Sequence, residues 1–122
     1  MARILIVEDD DNQRLLYRET FLDEGFEVSE ARDGRTAIAC IERERPDAVI
    51  LDIAMPGMDG LQTLTRIHDL SPRLPVVLNT AYAAYQSRYV SWIADAYVIK
   101  SSNPDKLRRA VLKVLDDARG DA

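Results

Sequence analysis

The chain has 122 residues, the size of one domain with a substantial core. Charged residues make up 30% and hydrophobic residues 47%, which excludes intrinsic disorder, and a net charge of −5 argues against direct binding to nucleic acid or an anionic membrane. No apolar run approaches the ~18 residues of a membrane span, the stretch behind Arg3 is too short for a signal peptide, and the lone Cys40 excludes a disulfide framework or a cysteine-based zinc site. A cytoplasmic single domain over residues 1–122 is expected.

Ile4-Leu5-Ile6-Val7 opens the chain as a short, β-branched apolar run, the pattern of a strand buried on both faces of a parallel sheet. Leu16, Tyr17, Thr20 and Phe21 then form one face of a first helix, with Asp10 as its cap and Gly25 as its stop. Phe26–Ala31 is more polar and reads as an edge strand. Gly34, Ala37, Ile38 and Ile41 recur at helical spacing, with Cys40 beside them as a buried inert thiol. Ala48-Val49-Ile50-Leu51 is a third strand, and Asp59-Gly60 starts a third helix, which carries the single histidine, His68, on its surface. Pro75–Leu78 and Ala96–Ile99 are the last two strands, with a fourth helix between them. Asn103-Pro104 opens a fifth helix, whose inner face is Leu107, Ala110, Val111, Val114 and Ala118, followed by a polar tail from Asp116.

Five strand–helix repeats with short connections predict an α/β fold. The expected form is a doubly wound five-stranded parallel sheet, order 2-1-3-4-5, with five helices in three α/β/α layers. In such sheets the site lies beyond the carboxyl ends of the strands. The residues delivered there are Glu8-Asp9-Asp10, Asp52, Asn79-Thr80 and Lys100. Strands one and three are neighbours in this order, so Glu8, Asp9 and Asp52 converge. Carboxylates ~4–6 Å apart repel by roughly 1–4 kcal/mol per pair. A hard divalent cation such as Mg²⁺, with Mn²⁺ as a substitute, offsets that repulsion, and Lys100 adds a fixed positive charge. A carboxylate beside Mg²⁺ and a lysine can attack phosphorus to give an aspartyl phosphate, with the Thr80 hydroxyl placed to hydrogen-bond the phosphoryl group.

Four segments resemble the receiver domains of two-component response regulators. They are Ile4-Leu5-Ile6-Val7-Glu8-Asp9-Asp10, Leu51-Asp52-Ile53-Ala54-Met55-Pro56-Gly57-Met58-Asp59-Gly60, Asn79-Thr80-Ala81-Tyr82 and Ala96-Tyr97-Val98-Ile99-Lys100. Their order and spacing carry the resemblance from Arg3 to about Asp116. It implies Asp52 as phosphoacceptor, with Glu8, Asp9, Asp52 and the Ala54 backbone carbonyl as Mg²⁺ ligands. It further implies Thr80 and Tyr97 as a switch pair and Lys100 as the salt-bridging lysine. The donor would be a phosphohistidine on a histidine kinase or phosphotransfer protein. The output face would be the fourth helix, fifth strand and fifth helix. With no output domain in the chain, the signal would leave by contact with a downstream protein or output domain.

Three features depart from that pattern. Ser101 stands where the family usually has proline after the lysine. Because a non-proline cis bond costs about 2.5–4 kcal/mol, either a trans bond with a reshaped loop or a strained cis bond is expected. The stretch from Thr80 to Lys100 is about two residues short, and it carries Tyr82, Tyr85, Tyr89, Val90, Trp92 and Ile93. Aromatics there suggest a partner contact or a homodimer through Tyr85–Ile93, the alternative being that they fill core space. Finally, Ala54 cannot hydrogen-bond an attacking water and Tyr82 is bulky enough to occlude one, so a long-lived phosphoryl group is expected.

Other classes fit less well. A Mg²⁺-dependent phosphatase would need a second Asp two residues after Asp52, where Ala54 stands. A nucleotide or flavin module would need a phosphate-cradling loop where Glu8-Asp9-Asp10 would repel it. A degenerate receiver that binds partners without phosphorylation stays open through Ser101.

Overall fold

The structure, a computed structural model, describes residues 2–53, 60–81 and 94–120. In chain order these form β1 (Arg3–Val7), α1 (Asp11–Asp23), β2 (Glu27–Ala31), α2 (Gly34–Glu44), β3 (Ala48–Leu51), α3 (Gly60–Leu70), β4 (Val76–Thr80), β5 (Ala96–Ile99) and α4 (Asp105–Gly120). The strands make one parallel sheet in the order β2-β1-β3-β4-β5. The helix expected between β4 and β5 lies outside the described residues.

Strand alternation divides the core in two. Leu5, Val7, Val49, Leu51, Val76 and Leu78 face α2 and α3, where Ala37, Ile38, Ile41, Leu64 and Ile67 meet them. Ile4, Ile6, Ile50, Val77 and Val98 face the other way, onto Tyr17 and Phe21 of α1 and Leu107, Val111, Val114 and Leu115 of α4. Residues of both sets are buried because the central strands are covered on both sides, which is why they read as unbroken apolar runs. Each large side chain so buried contributes about 1.5–3 kcal/mol.

The helix ends follow local chemistry. Asp10 caps α1, its side chain accepting from Gln13 N at 3.0 Å. Gly25, at φ +90°, lets the chain leave the helix in a conformation that L side chains rarely adopt, with its N–H donating to the Leu22 carbonyl at 3.0 Å. Asn103 accepts from Asp105 N at 3.0 Å at the start of α4.

Three expectations are corrected at element ends. Phe26 precedes β2 instead of starting it, because its N–H donates back to the Phe21 carbonyl of α1 at 3.1 Å, while its half-buried ring packs on Phe21 with centroids 6.2 Å apart. β4 starts after Pro75, which has no N–H for the ladder, and it runs on through Asn79 and Thr80. The segment from Asp116 is helical, with a Lys113–Asp117 pair at 3.5 Å spanning one turn, and Leu115 takes the inner position while Ala118 is exposed. Cys40 is buried as expected. Burial first, then its hydrogen bond to Glu44, pushes its thiol up to about 11, which keeps it protonated and unreactive at neutral pH.

Gly60, the first residue of α3, lies against the backbone of Ile53, just beyond Asp52, and a Cβ at this position would overlap Ile53 Cα and its carbonyl. Gly60→Ala is therefore expected to lower stability by about 1–3 kcal/mol in urea unfolding, despite alanine's better helix propensity.

Candidate functional site: an acidic cluster bridged by one lysine

The residues that follow the strands are held by the sheet's own hydrogen bonds. Glu8 N donates to the Ala31 carbonyl at 3.0 Å, Asp52 N to Val7 at 3.1 Å and Lys100 N to Thr80 at 2.8 Å. The parallel ladder thus continues one residue beyond β1, β3 and β5. It fixes the backbone of all three site residues relative to one another.

Their side chains meet. The Lys100 ammonium lies 2.9 Å from Asp52 Oδ2 and 2.6 Å from Glu8 Oε1. Glu8 and Asp52 are buried, at 2% and 5% exposure, and Asp9 is half-buried beside them. The three acids bring ligand oxygens within 4.8 Å of one another. Three carboxylates against one ammonium leave an excess of negative charge that a hard cation would neutralise. Glu8 Oε1 has no aligned hydrogen-bond donor in addition to its ion pair, so it keeps acceptor capacity. The donor set is all oxygen, as Mg²⁺ prefers, and the residues therefore fit the metal.

The charges shape their own titration. Burial raises the Glu8 carboxyl above its usual value, with the Lys100 hydrogen bond and the Asp10 N–H, 3.1 Å from Oε2, opposing it. Burial pulls Lys100 down, but hydrogen bonds to Glu8 and Asp52 outweigh it and the net direction is up. The lysine is a permanent cation at neutral pH.

Lys100 reaches both acids although Ser101 follows it, and no cis peptide bond occurs among the described residues. The reshaped trans loop is the outcome: the Ser101 hydroxyl accepts from Asn103 N at 3.2 Å, and Asn103 in turn starts α4. Thr80 is fully buried at the end of β4. Tyr97 is half-buried on β5, in register with Leu78 and packed against the α2/α3-side core. Ala54, Tyr82 and the Tyr85–Ile93 region lie outside the described residues. Half-buried His68 is on α3, away from the strand ends.

Sequence reasoning passed over Arg14. Its guanidinium donates to the Glu8 carbonyl at 3.0 Å and pairs with Asp11 at 2.5 Å and Glu30 at 3.4 Å. It thereby ties the β1–α1 loop, which carries Glu8 and Asp9, to the end of β2. No local pattern distinguishes it from a solvated helix arginine, since Asp11 is an ordinary partner on its own helix and the other two, Glu8 and Glu30, lie outside it.

Comparison with known proteins agrees with this geometry. The response regulator receiver domain family matches residues 4–112. Sporulation initiation phosphotransferase F of Bacillus subtilis is 36% identical over 93% of this chain and 93% of its own length. Regulatory protein AtoC of Escherichia coli is 40% identical over 93% of this chain, which spans only 25% of AtoC. The response regulator TrrA of Thermotoga maritima superposes with a TM-score of 0.88 at 41% identity, over 93% of this chain and 99% of that one, in a complex with Mg²⁺–BeF. TrrA is also known in complex with the histidine kinase ThkA, where it matches at a TM-score of 0.86 and 42% identity, over 94% of this chain and 99% of that one. The chain belongs to the receiver domain family of response regulators. Among the described residues no helix is long and apolar enough to cross a membrane.

Lys100→Met leaves two buried carboxylates with no cation. Burial already raises the Glu8 carboxyl, and without the lysine that opposes this shift folding takes up a proton there, so the variant's stability should fall as pH rises from 5 to 8. In metal-free buffer it should unfold at lower temperature than the parent at pH 8, by the equivalent of about 3 kcal/mol, with the gap narrowing at pH 5 and on adding Mg²⁺. Thermal unfolding at both pH values, with and without the metal, measures this.

Proposed function

We propose that the chain accepts a phosphoryl group on Asp52 from the phosphohistidine of a histidine kinase or phosphotransfer protein, in a Mg²⁺-dependent reaction. The observation that carries this reading is the buried Asp52 carboxylate, with a lysine ammonium at 2.9 Å and two further acids within metal-sharing distance. Sporulation initiation phosphotransferase F, by its name, and TrrA, by its Mg²⁺–BeF and ThkA complexes, support the reading by similarity.

In this reaction an Asp52 carboxylate oxygen attacks phosphorus in line. A new O–P bond forms as the P–N bond to the donor imidazole breaks, and the imidazole keeps that electron pair. Bound Mg²⁺, held by Glu8, Asp9, Asp52 and the Ala54 carbonyl, would neutralise charge on the phosphoryl oxygens, and Mn²⁺ should substitute. Lys100 would exchange its contact with Asp52 for one with the phosphoryl group, keeping the buried charge paired. The Thr80 hydroxyl would donate to a phosphoryl oxygen, and Tyr97 would turn inwards as Thr80 moves, favouring one state of a pre-existing equilibrium.

The signal would leave through the face formed by the residues before β5, β5 itself and α4, to a downstream protein or a homodimer through Tyr85–Ile93. The activity is self-directed in a cytoplasmic setting: the chain promotes its own phosphorylation and dephosphorylation and turns over no separate substrate. A phosphorylation-independent role is the second reading, and the first test separates the two. Intact mass after incubation with acetyl phosphate should show gain of one phosphoryl group that requires both Mg²⁺ and Asp52, being absent in Asp52→Asn. No gain with acetyl phosphate or with a phosphorylated kinase would overturn the proposal in favour of the interaction module.

The phosphoryl group is also expected to be long-lived, from the residue types at Ala54 and Tyr82. An Ala54→Asn, Tyr82→Glu double variant should lose phosphate faster than its parent in a decay time course. Equal decay would refute the role of these two positions.

A further inference from the structure

The C-terminal edge of the sheet carries a buried polar layer on one side. Ile4 and Ile6, Ile50, Val77, and Ala96 and Val98 all pack towards α1 and α4. Two residues further along each strand stand Glu8, Asp52, Asn79 and Lys100, so strand alternation puts these four on the same side. Three are the charged groups of the site. Asn79 is the neutral fourth, 2% exposed.

Its position is specific. β4 stands between β3 and β5, and the register pairs Leu51 with Leu78 and Asn79 with Val98. Lys100 follows β5 but its ammonium contacts Asp52 after β3 and Glu8 after β1. Its side chain therefore crosses β4, and on that side Asn79 lies in the register row of Asp52, where the ammonium arrives. The Asn79 carboxamide interacts with the Tyr17 hydroxyl of α1, which also makes a long hydrogen bond of 3.4 Å to Gln13. Tyr17 is itself 2% exposed, and its hydroxyl senses the charges of Lys100, Glu8 and Asp52.

Packing does not account for an amide there. Asn79 Nδ2 is buried and makes no well-formed hydrogen bond beyond its interaction with the Tyr17 hydroxyl, a loss that an apolar side chain of the same size would avoid. We propose that Asn79, anchored by Tyr17, is a positioning residue that sets the path of the Lys100 side chain across β4 and so the rate at which Asp52 accepts a phosphoryl group. The effect on rate rests on the reaction proposed for Asp52; the effect on Lys100 does not.

The test uses Asn79→Leu and Tyr17→Phe in the full chain, with three readouts. Without any phosphodonor, the Lys100 Cε–Hε NMR resonances should move in Asn79→Leu and, to a lesser extent, in Tyr17→Phe. The thermal midpoint of Asn79→Leu should equal or exceed that of wild type, because the poorly paired buried amide is gone. At saturating Mg²⁺, phosphorylation by acetyl phosphate should be about tenfold slower in Asn79→Leu. That slowing should disappear when both proteins also carry Lys100→Met, because the amide would act through the lysine. Unmoved Lys100 resonances, a wild-type rate, or a slowing that persists in full beside Lys100→Met would each overturn the proposal. A wild type that gains no phosphate would overturn the Asp52 chemistry instead, leaving the resonance shifts to decide the role of Asn79. If Asn79→Leu fails to fold, Tyr17→Phe carries the resonance and rate measurements, since it removes one hydroxyl and leaves the ring.

Discussion

Two buried carboxylates on neighbouring strands, Glu8 and Asp52, are stable together because one ammonium sits between them. Lys100 meets both at 2.6 and 2.9 Å, and each partner depends on the other two. Without the lysine, desolvation and the neighbouring carboxylate would drive Glu8 to take up a proton. Without the acids, burial would drive the lysine to lose one. The strand order makes the arrangement possible: β1 and β3 are adjacent, and β5 lies one strand beyond β4.

Rigidity comes from beneath. The central strands are apolar on both faces, so no register slip is open to them without burying polar groups or exposing apolar ones. The ladder extends through Glu8, Asp52 and Lys100 by backbone bonds to Ala31, Val7 and Thr80. The side chains therefore inherit a backbone held as firmly as the core. Above this, Arg14 ties the loop that carries Glu8 and Asp9 back to the end of β2.

The same edge is also where stability is given up. Among the described residues five polar ones, Glu8, Asp52, Thr63, Asn79 and Thr80, are buried, and four of them stand at the strand ends. A core of this size would be better served by apolar side chains at those positions, since even a well-paired buried charge seldom gains over a packed hydrocarbon. Such concentration at one edge marks a place shaped for reactivity, and it agrees with the family to which the chain belongs.

Much of this was legible in the residues. Short β-branched runs gave the five strands, helical spacing at Gly34–Ile41 and Leu107–Val114 the helices, and Asp10, Gly25 and Asn103 their ends, because these signals act over a few residues. Their alternation fixed the sheet order through general rules of connection, and with it the meeting of Glu8, Asp9 and Asp52. The extent of β4, the helical run past Asp116, the aim of Lys100 beside Ser101, and the roles of Arg14 and Asn79 were settled by the tertiary structure. Apart from the helical run, which the Lys113–Asp117 pair supports locally, these depend on partners outside the residue's own element: Asp95 holds Val76 N at 2.8 Å, Glu8 and Glu30 give Arg14 its purpose, and the crossing lysine gives Asn79 its own. Local chemistry determines which element a residue joins; only packing decides which charge it meets.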